Sequence, residues 1–170
     1  AATNQYATGF YSNPIALTTL AGAPAALSVP LQVQTVEISS LVLVWAEPPA
    51  DNGSPITGYR VYAQRLREVP GINGRIVALD PQPVVHIADT GRAETLARVG
   101  NLDANTLYRF MIAAINGVGI GALSAATDTV ETPAGPPAEV APSPIAYNIV
   151  PGSLTLRWTA PDDNGAMISD

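Results

Sequence analysis

From Leu107 onward the chain alternates in a way only a strand explains. Tyr108, Phe110, Ile112 and Ala114 share one parity, so an extended backbone places all four on one face. Upstream of them, Leu102 precedes a polar corner, Asp103-Ala104-Asn105-Thr106. That corner leaves Tyr108 where its ring can enter a core while its hydroxyl bonds back to the corner's backbone. The rest of the chain breaks into similar short apolar runs parted by turn residues, the pattern of an all-β sandwich. The runs predict strand A over 26–33, B over 40–46, C over 56–64, C′ over 84–87, E over 95–99, F over 107–115 and G over 124–130. Leu41, Leu43 and Trp45 point inward on B, and Tyr59 and Val61 face Trp45 from C. Between C and C′, residues 65–69 and 75–79 flank Pro70-Gly71-Ile72-Asn73-Gly74, whose Asn-Gly step predicts an inserted hairpin, with Pro81 and Pro83 ending it.

Parts of this pattern recur at a nearly fixed distance. Ser40-Leu41-Val42-Leu43-Val44-Trp45 matches Ser153-Leu154-Thr155-Leu156-Arg157-Trp158 at an offset of 113. Asp51-Asn52-Gly53 matches Asp163-Asn164-Gly165 at 112, as Ala1-Ala2-Thr3-Asn4 matches Ala113-Ala114-Ile115-Asn116. The expected organisation is one whole unit over 23–133, preceded by the F/G end of one copy (1–22, last strand 12–19) and followed by the A/B beginning of another (134–170). The joints, Leu20-Ala21-Gly22-Ala23-Pro24 and Pro133-Ala134-Gly135-Pro136-Pro137, are short and proline-bearing, which makes them semi-stiff.

The corner around Tyr108, the indole of Trp45, the Pro/Asp-Asn-Gly loop over 47–55 and the strand Ile56-Thr57-Gly58-Tyr59-Arg60-Val61 together resemble fibronectin type III domains over nearly the whole chain. The resemblance implies an immunoglobulin-like antiparallel β-sandwich in tandem repeats, with a core of Trp45, Tyr59, Val61, Leu102, Tyr108, Phe110 and Ile112. The longer stretch from Gln64 to Gly91 departs from a compact member of that family.

Composition sharpens the outer surface. Charged residues make up 13% of the 170, about half the usual share, so part of the surface is expected to be covered by partner chains or glycans and part to be rich in Thr, Ser, Asn and Gln. The outward parity of strand B, Val42 and Val44, is apolar where the later copy carries Thr155 and Arg157. Strand F adds Met111 and Ile115 outward, beside Tyr62 of strand C. Two-sided apolar strands mean either that the inserted hairpin folds over a face or that partner chains pack there. Val42, Val44, Tyr62, Met111 and Ile115 are therefore the candidate interaction surface.

Candidate chemistry is sparse. The net charge is −6, from 14 acids against 8 bases, every base an arginine. Scattered arginines on an acidic chain argue against a nucleic-acid partner. With no cysteine and one histidine, His86, there is no thiolate, no catalytic histidine pair and no sulfur-bound metal. The glycines of 116–121 lack the lysine and helix of a phosphate loop. The Asp-Asn-Gly loops offer two or three oxygens where calcium takes at least six, so turn geometry explains them better. Asn52-Gly53-Ser54 fits a glycosylation acceptor, disfavoured by Pro55. No apolar run approaches the roughly 20 residues of a membrane span. The expectation is a non-enzymatic structural or adhesive module with no cofactor or metal and no membrane insertion within this segment. Its partners are other protein chains, copies of itself included, and its setting is extracellular or at the cell surface. Two other settings fit the same residues: an accessory module of a secreted carbohydrate-active enzyme, or a cytoskeletal or ciliary scaffold repeat.

Overall fold

A computed structural model describes residues 1–29, 31–72 and 75–169. Among these described residues are nine strands, β1 (Gln32–Val36), β2 (Leu41–Val44), β3 (Ile56–Pro70), β4 (Ile76–Asp89), β5 (Leu96–Val99), β6 (Leu107–Asn116), β7 (Val130–Glu131), β8 (Ile145–Val150) and β9 (Ser153–Arg157). The order β1-β2-β5 forms one antiparallel sheet and β4-β3-β6-β7 a second, and β8 with β9 forms a separate hairpin. The core of residues 27–114 lies between the two larger sheets: Leu41, Leu43 and Trp45 from one, Tyr59, Val61, Phe110 and Ile112 from the other, sealed by Leu102 and Tyr108. Trp45 meets Tyr59 edge to face with centroids 5.0 Å apart, an arrangement favoured by the ring quadrupoles.

Tyr108 is buried, and its Oη accepts a hydrogen bond from Asp103 N–H at 3.1 Å. Asn101 and Asn105 turn the corner at positive φ (58° and 46°), a conformation asparagine tolerates better than other side chains. Strand and loop are thus held by one side chain that serves the core with its ring and the corner with its hydroxyl.

Several elements differ from the pattern in the sequence. The first begins at Gln32 rather than at Ala26. Leu27 and Leu31 are nevertheless buried, so both pack into the core by side chains although neither lies in a strand; Pro30 lies outside the described residues. β3 and β4 form one continuous ribbon, paired from Arg60↔Asp89 to Pro70↔Ile76. Pro81 and Pro83 do not end it, because β4 is an edge strand and a proline there costs no ladder bond when its nitrogen faces outward. The Asn73-Gly74 step lies outside the described residues. β3 is paired to β6 only as far as Leu66, so the ribbon runs on past the sandwich, and Ile72 and Val77 on it are exposed.

Strand G is the largest departure. Only Val130–Glu131 pairs as a strand, where 124–130 is expected. In its place, hydroxyls complete the edge. Ser124 N–H donates to Ile112 O at 2.8 Å while its Oγ accepts from Ile112 N–H at 3.1 Å. Thr127 repeats this at Phe110, with 2.9 and 3.1 Å, and Thr132 at Thr106, with 3.0 Å for both bonds. Each residue presents both an amide donor and a hydroxyl acceptor, so β6 keeps its backbone satisfied although the chain beside it forms no regular strand there.

Candidate interaction surface

The five candidate surface residues do not form one patch. Val42 and Val44 lie on β2, in register with Arg98 and Leu96 of β5 on one side and Thr35 and Gln32 of β1 on the other. Tyr62, Met111 and Ile115 belong to the other sheet, where Tyr62 stands opposite Met111 and beside His86. Outward residues of two sheets packed face to face point in opposite directions, so one partner surface cannot cover both sets. Val42, Val44, Tyr62 and Ile115 are half-buried, and Met111 is only 9% exposed. Ala113, on the same outward parity, is buried as well. The middle of β6 is therefore buried on both sides.

Charge brackets each face. Arg60 donates to both oxygens of Asp89 at 2.8 Å, and His86 Nε2 lies 3.0 Å from Asp89 Oδ1. The Arg60 guanidinium holds the Asp89 carboxyl below the usual carboxylate range, with His86 adding to it, because both partners stabilise the charged form. On the other sheet, Arg98 reaches Glu37 at 2.5 Å and Ser40 Oγ at 2.9 Å. The Ser40 hydroxyl, which donates to Glu37 at 2.6 Å, is the larger cause and Arg98 the lesser of a lowered Glu37 carboxyl. Both networks are solvent-facing.

Asn52 has a structural task. Its Nδ2, the atom a glycan would join, donates to Ala23 O at 2.6 Å, and its backbone sits at φ 55°. Among the described residues, no three His, Cys, Asp or Glu side chains are grouped to hold a metal. Within the same residues no helix is long and apolar enough to cross a membrane.

Asn116, read in the sequence only as part of the repeat, has a structural role that its place in the pattern did not show. Asn116 Nδ2 donates to Gly22 O at 2.8 Å and Asp51 O at 2.9 Å, while its Oδ1 accepts from Val118 and Gly119 N–H at 2.9 and 3.0 Å. One amide thereby fastens the β6 turn to the first joint and to the loop over 47–55. Its recurrence as Asn4 was the available signal. Asn4 Oδ1 accepts from Tyr6 and Ala7 N–H at 2.9 and 3.2 Å, the same pair of bonds displaced by 112 residues.

The family model for the fibronectin type III domain matches residues 23–130. The chain is 29% identical over 164 residues to usherin of Homo sapiens, a match that takes in 91% of this chain and 3% of that protein. It is also 29% identical over 143 residues to ephrin type-B receptor 3 of Mus musculus, covering 81% of this chain and 14% of that one. A solved structure of titin kinase and its flanking domains superimposes with a TM-score of 0.52 at 26% identity, over 66% of this chain and 18% of the other. The chain thus spans a small fraction of the curated relatives it matches.

Proposed function

Because the chain belongs to the fibronectin type III family, we propose that it is a non-catalytic structural and adhesive stretch of a large multidomain protein, in which such domains follow one another in tandem. Residues 23–133 are then a complete domain, 1–22 the end of the preceding one and 134–170 the beginning of the next. Its partners are other protein chains, copies of itself among them, at the cell surface or in an extended extracellular assembly. The match to a protein named as a receptor supports that setting.

The observation that carries this reading is a buried set with a bare counterpart. Leu41, Leu43 and Trp45 are 1%, 0% and 5% exposed, whereas Leu154, Leu156 and Trp158, displaced by 113 residues, are 53%, 49% and 60% exposed. Three large apolar side chains on one face of a two-stranded hairpin are marginal in water. A second sheet, supplied by the remainder of that repeat, covers them in the proposed array. The turn at the other end agrees. Asn4 N–H to Ala7 O at 3.1 Å and Gly9 N–H to Ala2 O at 2.8 Å duplicate Asn116 N–H to Gly119 O at 3.1 Å and Gly121 N–H to Ala114 O at 2.8 Å.

The adhesive part is tested by cross-linking the parent protein in its native setting with a carboxylate-reactive reagent, since this stretch has no lysine. Links from Asp89 or Glu37 to other chains are expected, and the Val42→Thr/Val44→Thr pair should remove those from Glu37. Finding links only within the parent chain reduces the function to spacing and overturns adhesion.

A further inference from the structure

Each joint is strapped to the loop of the repeat it enters. Gly22 N–H donates to Asn52 O at 2.9 Å, and Gly135 N–H to Asn164 O at 3.1 Å. Asn52 Nδ2 donates to Ala23 O and Asn164 Nδ2 to Pro136 O, both at 2.6 Å. Ala25 N–H to Ala50 O at 3.0 Å has its counterpart in Ala138 N–H to Asp162 O at 2.8 Å. The loops share their dihedrals too: φ is 55° and 82° at Asn52-Gly53, 49° and 84° at Asn164-Gly165. Joint and loop are tied together by the same three hydrogen bonds in both places.

At the second joint the tied joint and loop rest on the middle domain. A Cβ built on Gly135 would stand 3.0 Å from Ala104 Cβ and 3.0 Å from Ile38 Cγ2, and one on Gly165 would run into the Asn105 side chain. The contact is backbone-close because glycine occupies both positions. At the first joint the matching glycines, Gly22 and Gly53, meet only residues of their own joint and loop, Asn52 and Ala21. Their platform is the better braced of the two, since Asn116 ties the β6 turn into it as well.

Resting on the tandem reading above, we infer that the surface of Gly22, Asn52 and Gly53 is a docking site for the tyrosine corner of the preceding repeat. That corner seats there as Ile38, Ala104 and Asn105 seat against Gly135 and Gly165. Successive repeats then share one orientation, and the array is a stiff rod. Beside the second contact a cleft of about 690 Å³ opens between Arg65 and Asp103 on one side and Asp163 on the other.

The test uses a chain extended at both ends to complete the flanking repeats. The stretch contains no cysteine, so paired cysteines report contact cleanly. Ala104→Cys with Gly135→Cys brackets the second joint, within a small adjustment of disulfide geometry. Gly22→Cys, with a cysteine at the position matching Ala104 in the preceding repeat, brackets the first. Both disulfides are expected to form at similar rates and to leave the maximum dimension in small-angle scattering unchanged. Asn164→Ala is expected to slow the second severalfold, up to about tenfold for one hydrogen bond of ordinary net strength; an unchanged rate overturns the role of the strap. Formation of the second disulfide without the first overturns the shared docking. Failure of both, with flanking domains that still unfold cooperatively, overturns docking and leaves the repeats standing. Flanking segments that do not fold at all overturn the tandem reading itself.

Discussion

The hydroxyl of Tyr108 accepts a hydrogen bond from the backbone N–H of Asp103 at 3.1 Å, closing the corner that leads into β6. The ring meanwhile stacks against Phe110 at 5.7 Å and carries the Arg65 guanidinium over its face. Tyr108→Phe keeps the stacking and orphans a part-buried donor, so it should cost about 1–3 kcal/mol. A urea midpoint that falls with the slope unchanged is the expected result; an unmoved midpoint assigns the hydroxyl no role in stability.

Trp45 is the largest side chain that the first sheet sends into the core, and it packs on the edge of Tyr59. Trp45→Ala leaves a cavity between two sheets that cannot close on it, at a cost of about 3–5 kcal/mol. Thermal unfolding of the domain over 23–133, followed by circular dichroism, reads this directly.

Thr127 replaces a strand bond with a hydroxyl, accepting from the buried N–H of Phe110 at 3.1 Å. Thr127→Val preserves the shape and removes the acceptor, for a cost of about 1–3 kcal/mol. Amide exchange at Phe110 should accelerate, and Thr127→Ser should restore protection. Equal protection in both variants means the hydroxyl is dispensable.

Gly121 faces the backbone of Pro24 so closely that a Cβ would overlap the carbonyl. Its own N–H is committed to Ala114 O at 2.8 Å, so the turn cannot withdraw freely. Gly121→Ala should therefore destabilise the domain by about 1–3 kcal/mol. Gly100→Ala is the control, since its Cβ would meet open space.

Asp89 gives a pH dependence of known sign. Arg60, helped by His86, holds its carboxyl low in the folded state, while the unfolded value is about 3.9. A lowered folded pKa contributes stability in full above the unfolded value and loses it as pH falls through the folded one, so the loss occurs below about pH 4. Both side chains are substantially solvated, which keeps the effect small. The stability gap between the wild type and Asp89→Asn should be widest near neutrality and shrink in acid; a gap that grows in acid contradicts the assignment.

The ribbon and the G edge mark where reading residues in order stops working. Pro81 and Pro83 look like strand ends, and nothing in their neighbours says that β4 will be an edge, where prolines are tolerated. Ser124 and Thr127 sit three apart, a spacing no strand uses to present one face. Their service to Ile112 and Phe110 exists only once β6 lies beside them. Met111 and Ala113 likewise look exposed by parity, although the assembled sheet shields them.

Alternation along Tyr108, Phe110, Ile112 and Ala114, the indole at Trp45 and the recurrence at 112 to 113 residues were enough, as bare sequence, to specify a two-layer β fold and its interior. Side-chain parity and turn chemistry are local, and burial of one face follows from them. What Asn116 does was decided only in three dimensions, because its partners Gly22 and Asp51 lie 94 and 65 residues away along the chain. A hydrogen bond across such a separation leaves no periodicity to read. It is set by where the folded sheets bring three loops together.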